Sequence, residues 1–542
     1  MKKIVHVVFF SVLLSHIIYG QQAPADLILV NGKIFTSEAT KPAAEAIAIR
    51  GERILAVGTS AEIEKLKGKI TRRIDLQGRL VTPGFNDAHF HYWPDPKGVY
   101  LQFKSMEPSW EETTAAISEA VQKAPAGTWI FGEVGSVVIL NEQVTRFALD
   151  KIAPHHPVLL HAYYGHGFVI NSKALPLLQV KEEEVDPSGG YFERVANTKT
   201  INGRFWEYAQ WNLTRRLAAK VSDEEAIKAL RKVADEAIGY GVTSLQIMPM
   251  MPVARFTRLL VKADLPVRVR VIPFSQTNSQ GRDVSEIRLP ANRPSAKVTV
   301  DGIKWVLDGT PFERGAANRT DYHDQPGWRG KLNFSEREIA TMLKEALDFK
   351  RQILLHCAGD KAAESVLAAM EGYGNQVDWK SKRVRIEHGD GVTGDLIARA
   401  AKLGVIIVQN PTHFSSVEMI YTRQGTNTQF FPLRSYLEAN VPVALGSDGP
   451  MNPFLNIMLA TIHPVRPSEA ITREQAVRAY TFGSAYAEFA EKEKGILAQG
   501  KLADLSVLSQ DIFTAAVPAL PQTTSVLTIV GGKIVHNSNV LK

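Results

Sequence analysis

A single cysteine, Cys357, occurs in 542 residues, so no intramolecular disulfide is possible and the fold must rest on its core. No internal repeat or low-complexity segment is present. Beyond the N-terminus, no apolar run is long enough to cross a membrane. Clustered charge is scarce too. The net charge of +7 is diluted over 59.8 kDa. The densest basic run, KSKRVR at 380–385, lacks interleaved aromatics and reads as a solvated face, so nucleic acid is not an expected partner. Hydrophobic content of 45% and charged content of 22% suit a globular protein. The length exceeds what one core can fill, so two or more domains are expected. Nothing in the composition sets an oligomeric state.

What is present begins with the N-terminus. Lys2 and Lys3 precede an apolar run, 4–18, that ends at Tyr19, Gly20 and Gln21. That layout is a secretory signal peptide over 1–20, cut near Gly20/Gln21. The run is short for a spanning helix and contains His6, Ser11 and His16, and no cysteine follows it for a lipid anchor. The expected product is periplasmic or secreted, with no stable membrane anchor after cleavage.

The stretch VTPGFNDAHFH (81–91) reads as a turn, then a strand ending in a His-x-His pair. Side chains two apart on a strand share a face, so His89 and His91 can converge while Phe90 turns away. Two converging neutral imidazoles make half of a first-row metal site. Asp87 lies one step earlier on that face, as a ligand or as a partner orienting an imidazole.

Short strands at 26–36, 44–58 and 72–76 are echoed near the C-terminus at 503–508 and 525–536, where Gly532-Lys533-Ile534 matches Gly32-Lys33-Ile34. The two ends (21–80 and 495–542) are expected to form one small β-sandwich. Between them, 81–494 alternates strands and helices. Strands are expected at 241–247, 266–272, 302–308, 352–356, 384–388, 405–409 and 443–448. Helices are expected at 223–239, 252–262, 335–350, 362–372, 395–403 and 433–439, with closing helices at 469–480 and 483–491. With 81–91, the strands number eight, which predicts an α/β architecture, a (β/α)8 TIM-type barrel. Residues 92–221 are too long for one connection and read as an inserted subdomain after barrel strand 1, with strands at 129–132 and 157–163 and a helix at 110–122. Its Trp and Tyr content suits a substrate lid or ordinary packing.

Polar residues end several of these strands: Lys304 in GIKWVLDG, His356 after Ile353-Leu354-Leu355, His388 in VRIEH, Asp448 in VALGSDGP. In a parallel barrel, strand C-termini line the active face. Alone, each has an ordinary reading as a core histidine, a turn-forming aspartate or a solvated lysine. As a series on one barrel face, they point to a metal site. Cys357 should point away from His356, as an inert buried thiol.

The ordered set VTPGFNDAHFH, HGFVINSKAL (166–175), GIKWVLDGT (302–310), LLHCAGDKA (354–362), VRIEHGD (384–390), VALGSDGP (443–450) and GILAQGKLADLSVLSQD (495–511) resembles the metal-dependent amidohydrolase superfamily. More narrowly it resembles the YtcJ-like branch that includes N-substituted formamide deformylases. The resemblance implies two zinc ions, with His89 and His91 on the first and His356 and His388 on the second. It implies N-carboxylated Lys304 as the bridging ligand. Asp448 completes the first site and acts as catalytic base. His166 and Asp308 are implied near the small-molecule substrate, with Asp308, on the same face as Lys304, also placed to orient a ligand. The implied reaction is hydrolysis of a non-peptide C–N bond, amide or formamide, by a metal-bound hydroxide. Two departures stand out: the segment LDGTPFERGAA after Lys304 is looser than the branch pattern, and Gly359 occupies the place of an acid in deaminase-like members. The alternatives are a mononuclear deaminase or cyclic-amide hydrolase with unmodified Lys304, or a non-catalytic binding protein that keeps the barrel.

Overall fold

Eight strands succeed one another around the centre of the protein, and a computed structural model describes them within residues 24–541. The expected signal peptide lies outside the described residues. The strands are β1 (Phe85–Tyr92), β2 (Val242–Pro249), β3 (Arg268–Val271), β4 (Val298–Val300 and, after a break, Ile303–Val306), β5 (Ile353–Cys357), β6 (Arg385–His388), β7 (Ile406–Gln409) and β8 (Val443–Leu445). Neighbours pair in parallel in two arcs, β1–β2–β3–β4 and β4–β5–β6–β7–β8. The arcs join inside β4, where the Lys304 amide donates to the Pro273 carbonyl at 2.9 Å and the Ser275 amide to the Lys304 carbonyl at 3.0 Å. The Asp448 amide closes the ring onto the His89 carbonyl at 3.0 Å. The result is a TIM-type barrel.

Between the strands run amphipathic helices with explicit start signals. Asp223–Gly239 begins where Ser222 caps the Glu225 amide and Glu225 reaches back to the Ser222 amide, and Ser335 with Glu338 does the same for Glu336–Asp348. Their buried stripes, Ala226, Ile227, Leu230, Ala234 and Ala237 in the first, recur at helical spacing and join the barrel core. Pro453–Ile462, which follows β8, is a helix that the pattern misses. It is apolar nearly all round (PFLNIMLATI), so it shows no amphipathic period. The expected closing helices are instead Arg473–Arg478, a π-turn at Ala479–Gly483, and a short Ser484–Ala487.

The stretch 81–91 is two strands, not one. Leu80–Pro83 belongs to a separate sheet, and β1 begins at Phe85. Between them Gly84 lies so close to β2 that a Cβ there would stand 2.2 Å from the Thr243 side chain. Inside β1 the pairing with β2 slips by one residue between Asp87 and Phe90, a bulge that re-aims the side chains just before the His-x-His pair.

Two sheets built from both chain ends face each other. One has the order Arg53–Gly58, Ala46–Arg50, Ala25–Val30, Lys67–Asp75. The other runs Lys533–Asn537, Ser525–Val530, Leu505–Leu508, Leu80–Pro83, Lys33–Phe35, Ala43–Ala44. Leu27, Leu29, Ile47 and Ile49 from the first and Val81, Leu505, Val507 and Leu527 from the second share one apolar core. The two Gly-Lys-Ile stretches differ, however. Lys533 follows a true hairpin turn, whereas Ala25–Val30 and Lys33–Phe35 enter different sheets.

Between β1 and Asp223, a six-stranded mixed sheet forms in the order Gly190–Arg194, Ile201–Glu207, Phe168–Ile170, Val158–Ala162, Trp129–Val134, Gly98–Tyr100. Two apolar clusters flank it, and helix Trp110–Lys123 starts at a Ser109–Glu112 capping box. Sequences such as INGRFWE, buried along their whole length, carry no alternation from which a strand is legible. No helix among the described residues is long and apolar enough to cross a membrane.

Candidate metal centre

At the C-terminal end of β1 the imidazoles of His89 and His91 converge, Nε2 to Nε2, at 3.2 Å. The Asp448 carboxylate stands 3.7 Å from each through Oδ1 and 3.7 Å from His388 Nδ1 through Oδ2. Two ligand atoms bound to one zinc at 2.0–2.1 Å in a tetrahedron lie roughly 3.3 Å apart, so the His89–His91 spacing suits one shared ion. His356 packs its ring 4.4 Å from His388. Lys304 is fully buried, and its Nζ has no hydrogen-bond partner.

Burial, which disfavours a charged imidazole, lowers the pKa of His89, takes His91 to about 3, and holds His356 and His388 well below the ordinary range. All four are neutral and offer lone pairs. Burial likewise lowers Lys304 to about 8, which makes its free amine accessible near neutral pH. Asp448 is the counter-case. Burial would raise it, but His89 and the hydrogen bond of His413, whose own pKa is raised to about 10, hold it well below the ordinary carboxylate range. Neutral nitrogens around one carboxylate, with an orphaned buried amine beside them, fit a divalent metal of zinc type.

Backbone conformation aims these groups. His388 and Asp448 hold φ of 67° and 39°, in the left-handed region that non-glycine residues rarely enter. Gly446 lets β8 approach β1, since a Cβ there would lie 2.5 Å from the His89 amide nitrogen.

One sequence expectation needs correction. Asp87 neither ligates nor orients an imidazole. It accepts the amides of His89 at 3.1 Å and Ser447 at 2.9 Å, so it staples β1 to the loop after β8. Asp308 lies beside His356 and braces the backbone around it. It is fully buried, and its oxygens accept the amides of Ala317, Ala358 and Gly359 at 2.8–3.1 Å, 3.6 Å from His356 Nε2. That arrangement ties the loop after β4 to the end of β5. It also explains Gly359, where a Cβ would lie 2.0 Å from the Ala317 carbonyl oxygen.

The group that orients His89 is one the sequence reading passed over. Glu387 meets His89 Nδ1 at 2.5 Å and is gripped by Arg385 through Nε at 2.7 Å and Nη2 at 3.0 Å. Arg385 also donates to Gln246 and to the Ala88 carbonyl. Burial would raise the Glu387 pKa, but Arg385 and His89 together hold it far below the usual carboxylate range. The available signal was two opposite charges two apart inside an apolar strand, both on its inner face. Asn410, after β7, does for His388 what Glu387 does for His89, with Oδ1 3.0 Å from Nδ1.

His413 was also passed over. It lies 3.6 Å from Asp448 and 4.0 Å from Asp390. Burial opposes its charge, yet these two carboxylates raise it to about 10.

His166, in the turn between strands Val158–Ala162 and Phe168–Ile170 of the insert, reaches the metal centre's edge with its ring 4.9 Å from His356. Its Nδ1 is 2.8 Å from Glu207, and one donor atom each of His166, Glu207 and Glu313 lie within 4.8 Å of one another. The insert therefore forms one wall of the site.

Residues 72–536 match the amidohydrolase family. The chain is 27% identical to the N-substituted formamide deformylase of Arthrobacter pascens across 94% of this chain and 97% of that protein. It is 24% identical to YtcJ of Bacillus subtilis (strain 168) across 94% and 99%. A metal-dependent hydrolase of Pyrococcus furiosus, itself uncharacterized, shares the fold with a TM-score of 0.68 at 24% identity, covering 90% of this chain and all of that one. With the barrel, the converging imidazoles and this match over most of its length, the chain belongs to the amidohydrolase family as a YtcJ-like member, a hydrolase of carbon–nitrogen bonds.

Proposed function

We propose that this protein is an exported, zinc-dependent hydrolase of a non-peptide amide or formamide. The observation that carries the reading is the Asp448 carboxylate, set at 3.7 Å among three neutral imidazoles, His89, His91 and His388. His89, His91 and Asp448 would hold one ion and His356 and His388 a second, with Lys304 bridging them as its carbamate. An ammonium has no lone pair to offer, whereas a carbamate brings two anionic oxygens, and the lowered Lys304 pKa supports that modification. When bound, such ions supply a nucleophilic water at neutral pH and polarise a carbonyl.

The residues of the chain do the rest. Asp448 accepts the proton that the attacking water loses as the C–O bond forms, then returns it to the nitrogen as the C–N bond breaks, which leaves a carboxylic acid and an amine. Glu387 keeps the His89 ring in place through Nδ1, which leaves Nε2 for the metal. His166, Phe274 and Trp211 wall the site, and ring contacts of 5.3–5.7 Å run from His91 through Phe274 and Trp211 to His166. The small-molecule substrate enters against this wall. The crowding at Gly359 leaves no room for the acid of deaminase-like members, which favours the two-ion reading over the mononuclear one.

Metal analysis of protein purified without added metal or chelator is expected to give two zinc per chain, with turnover on a panel of N-formyl and N-acyl amines. One ion and deaminase activity would replace this reading, and no uptake would end it. Lys304→Ala is expected to lower the metal content, and unchanged stoichiometry would remove the bridging role. Export rests on Lys2, Lys3 and the apolar run at 4–18, and N-terminal sequencing of the mature protein is expected to begin at Gln21.

A further inference from the structure

Asp448 has a demanding task on that reading, because its carboxylate must take a proton at one position and release it at another. Four imidazoles stand 3.6–3.7 Å from it. Three belong to the expected ligand series. The fourth, His413, belongs to a short 3-10 helix, Pro411–Ser415, that follows β7. It approaches Oδ2, whereas His89 and His91 approach Oδ1.

His413 is itself set between Asp448 and Asp390, at 3.6 and 4.0 Å. Its ring stacks on His388 at 5.2 Å and 26°. Its Nδ1 faces Asp390 Oδ2, and the other oxygen of Asp390 accepts from Gln409 Nε2 at 3.0 Å. The preceding residue ties the short helix to the Asp448 loop, because Thr412 Oγ1 donates to the Ser447 carbonyl at 3.1 Å and the Thr412 amide to Asn456 at 3.1 Å. An imidazole anchored this many ways is a fixed post against which a carboxylate can rest. Without it, rotation about the Cβ–Cγ bond of Asp448 is restrained on the Oδ1 side and by His388 alone on the other.

We infer that His413 is a positioning residue for Asp448, holding Oδ2 so that Oδ1 stays turned to His89 and His91. The inference rests on the proposed metal-dependent hydrolysis. It adds a residue that the expected ligand series does not contain and gives it a role distinct from binding metal or substrate. A misplacement of about 1 Å in a reacting group costs on the order of 10²-fold in rate. Loss of His413 should therefore lower kcat without weakening substrate binding, and should loosen the ion that Asp448 helps to hold.

The test uses the full-length mature protein loaded with zinc, as wild type, His413→Ala and His413→Gln. Zinc release to a colorimetric chelator is followed alongside kcat and KM on an N-formyl amine. His413→Ala is expected to bind zinc at wild-type stoichiometry but release one ion about 10-fold faster, with kcat down roughly 10- to 100-fold and KM within about 2-fold. His413→Gln, which keeps a side-chain N–H, should recover part of both losses. Asp390→Asn, which weakens the post from behind, should shift both readouts the same way by less, and it serves if His413→Ala does not fold. An unchanged release rate in His413→Ala overturns the inference, as does a rise in KM at constant kcat. The release arm needs no substrate, so it still decides the point if the amine is not turned over. Failure of the wild type to take up zinc would overturn the functional reading and this inference together.

Discussion

Two buried arginine–carboxylate pairs in this protein have nearly the same geometry and opposite consequences. Arg385 grips Glu387 through Nε at 2.7 Å and Nη2 at 3.0 Å, and Arg268 grips Asp504 through Nε at 2.7 Å and Nη2 at 3.1 Å. The first pair comes from one strand, two residues apart. The second joins barrel strand β3 to a loop that precedes Leu505–Leu508, across 236 positions. The difference lies in where the spare lone pair points. Glu387 turns it on His89, whereas Asp504 accepts the Gly531 amide at 2.7 Å in the turn of the C-terminal hairpin. One pair thus orients a metal-site imidazole, and the other fastens the barrel to the sheets built from the chain ends. A buried ion pair has no fixed role, and its third partner assigns one.

The sharpest way to separate chemistry from scaffold is to change an acid that touches neither arginine. Asp448→Asn should lower turnover by about 10³-fold with the thermal midpoint nearly unchanged, and an active variant would remove its role as base. Next come the two pairs themselves. Asp504→Ala and Glu387→Ala each strand a buried guanidinium and should each cost about 3–5 kcal/mol in denaturant unfolding. Zinc binding should survive in Asp504→Ala and fail in Glu387→Ala. Equal zinc affinity in the two would break the comparison.

A gentler change isolates the third partner. Glu387→Gln keeps the shape but loses the charge that steadies His89, so zinc affinity should fall roughly 10- to 100-fold in competition with a chelator. The smallest effect is on pH dependence. The folded-state pKa of Glu387 is depressed, so its stabilisation is fully present above the unfolded carboxylate value of about 4.3 and is lost as pH falls through the lower folded value. The stability gap between wild type and Glu387→Gln should be constant from pH 6 to about 4.5 and narrow below it, in urea unfolding of the metal-free proteins. A gap that narrows instead on raising the pH would contradict the assigned ionisation.

The helix Asp223–Gly239 was legible to the residue, because capping box, apolar period and closing glycine all act within one local segment. The barrel strands were legible for a related reason: short, mainly apolar runs, several of them followed by one polar residue, keep their meaning when read alone. Other features depended on partners far along the chain. Gly84 separates two strands only because Thr243 packs against it. Asp87 turns to the Ser447 amide because β8 ends beside β1, and Asp308 turns to the amides after β5 for the same kind of reason. Glu387 and His413 stood in plain view as residues, yet their roles require His89 and Asp448 at hand, 298 positions away in the first case. The sequence by itself determined the alternation of strands and helices, and with it the barrel and the kinds of side chain along its rim, since periodicity and capping are local. Which rim residue faces the metal, which holds a neighbour and which only braces the backbone was decided by tertiary structure, because orientation at a strand end is set by whatever packs against it.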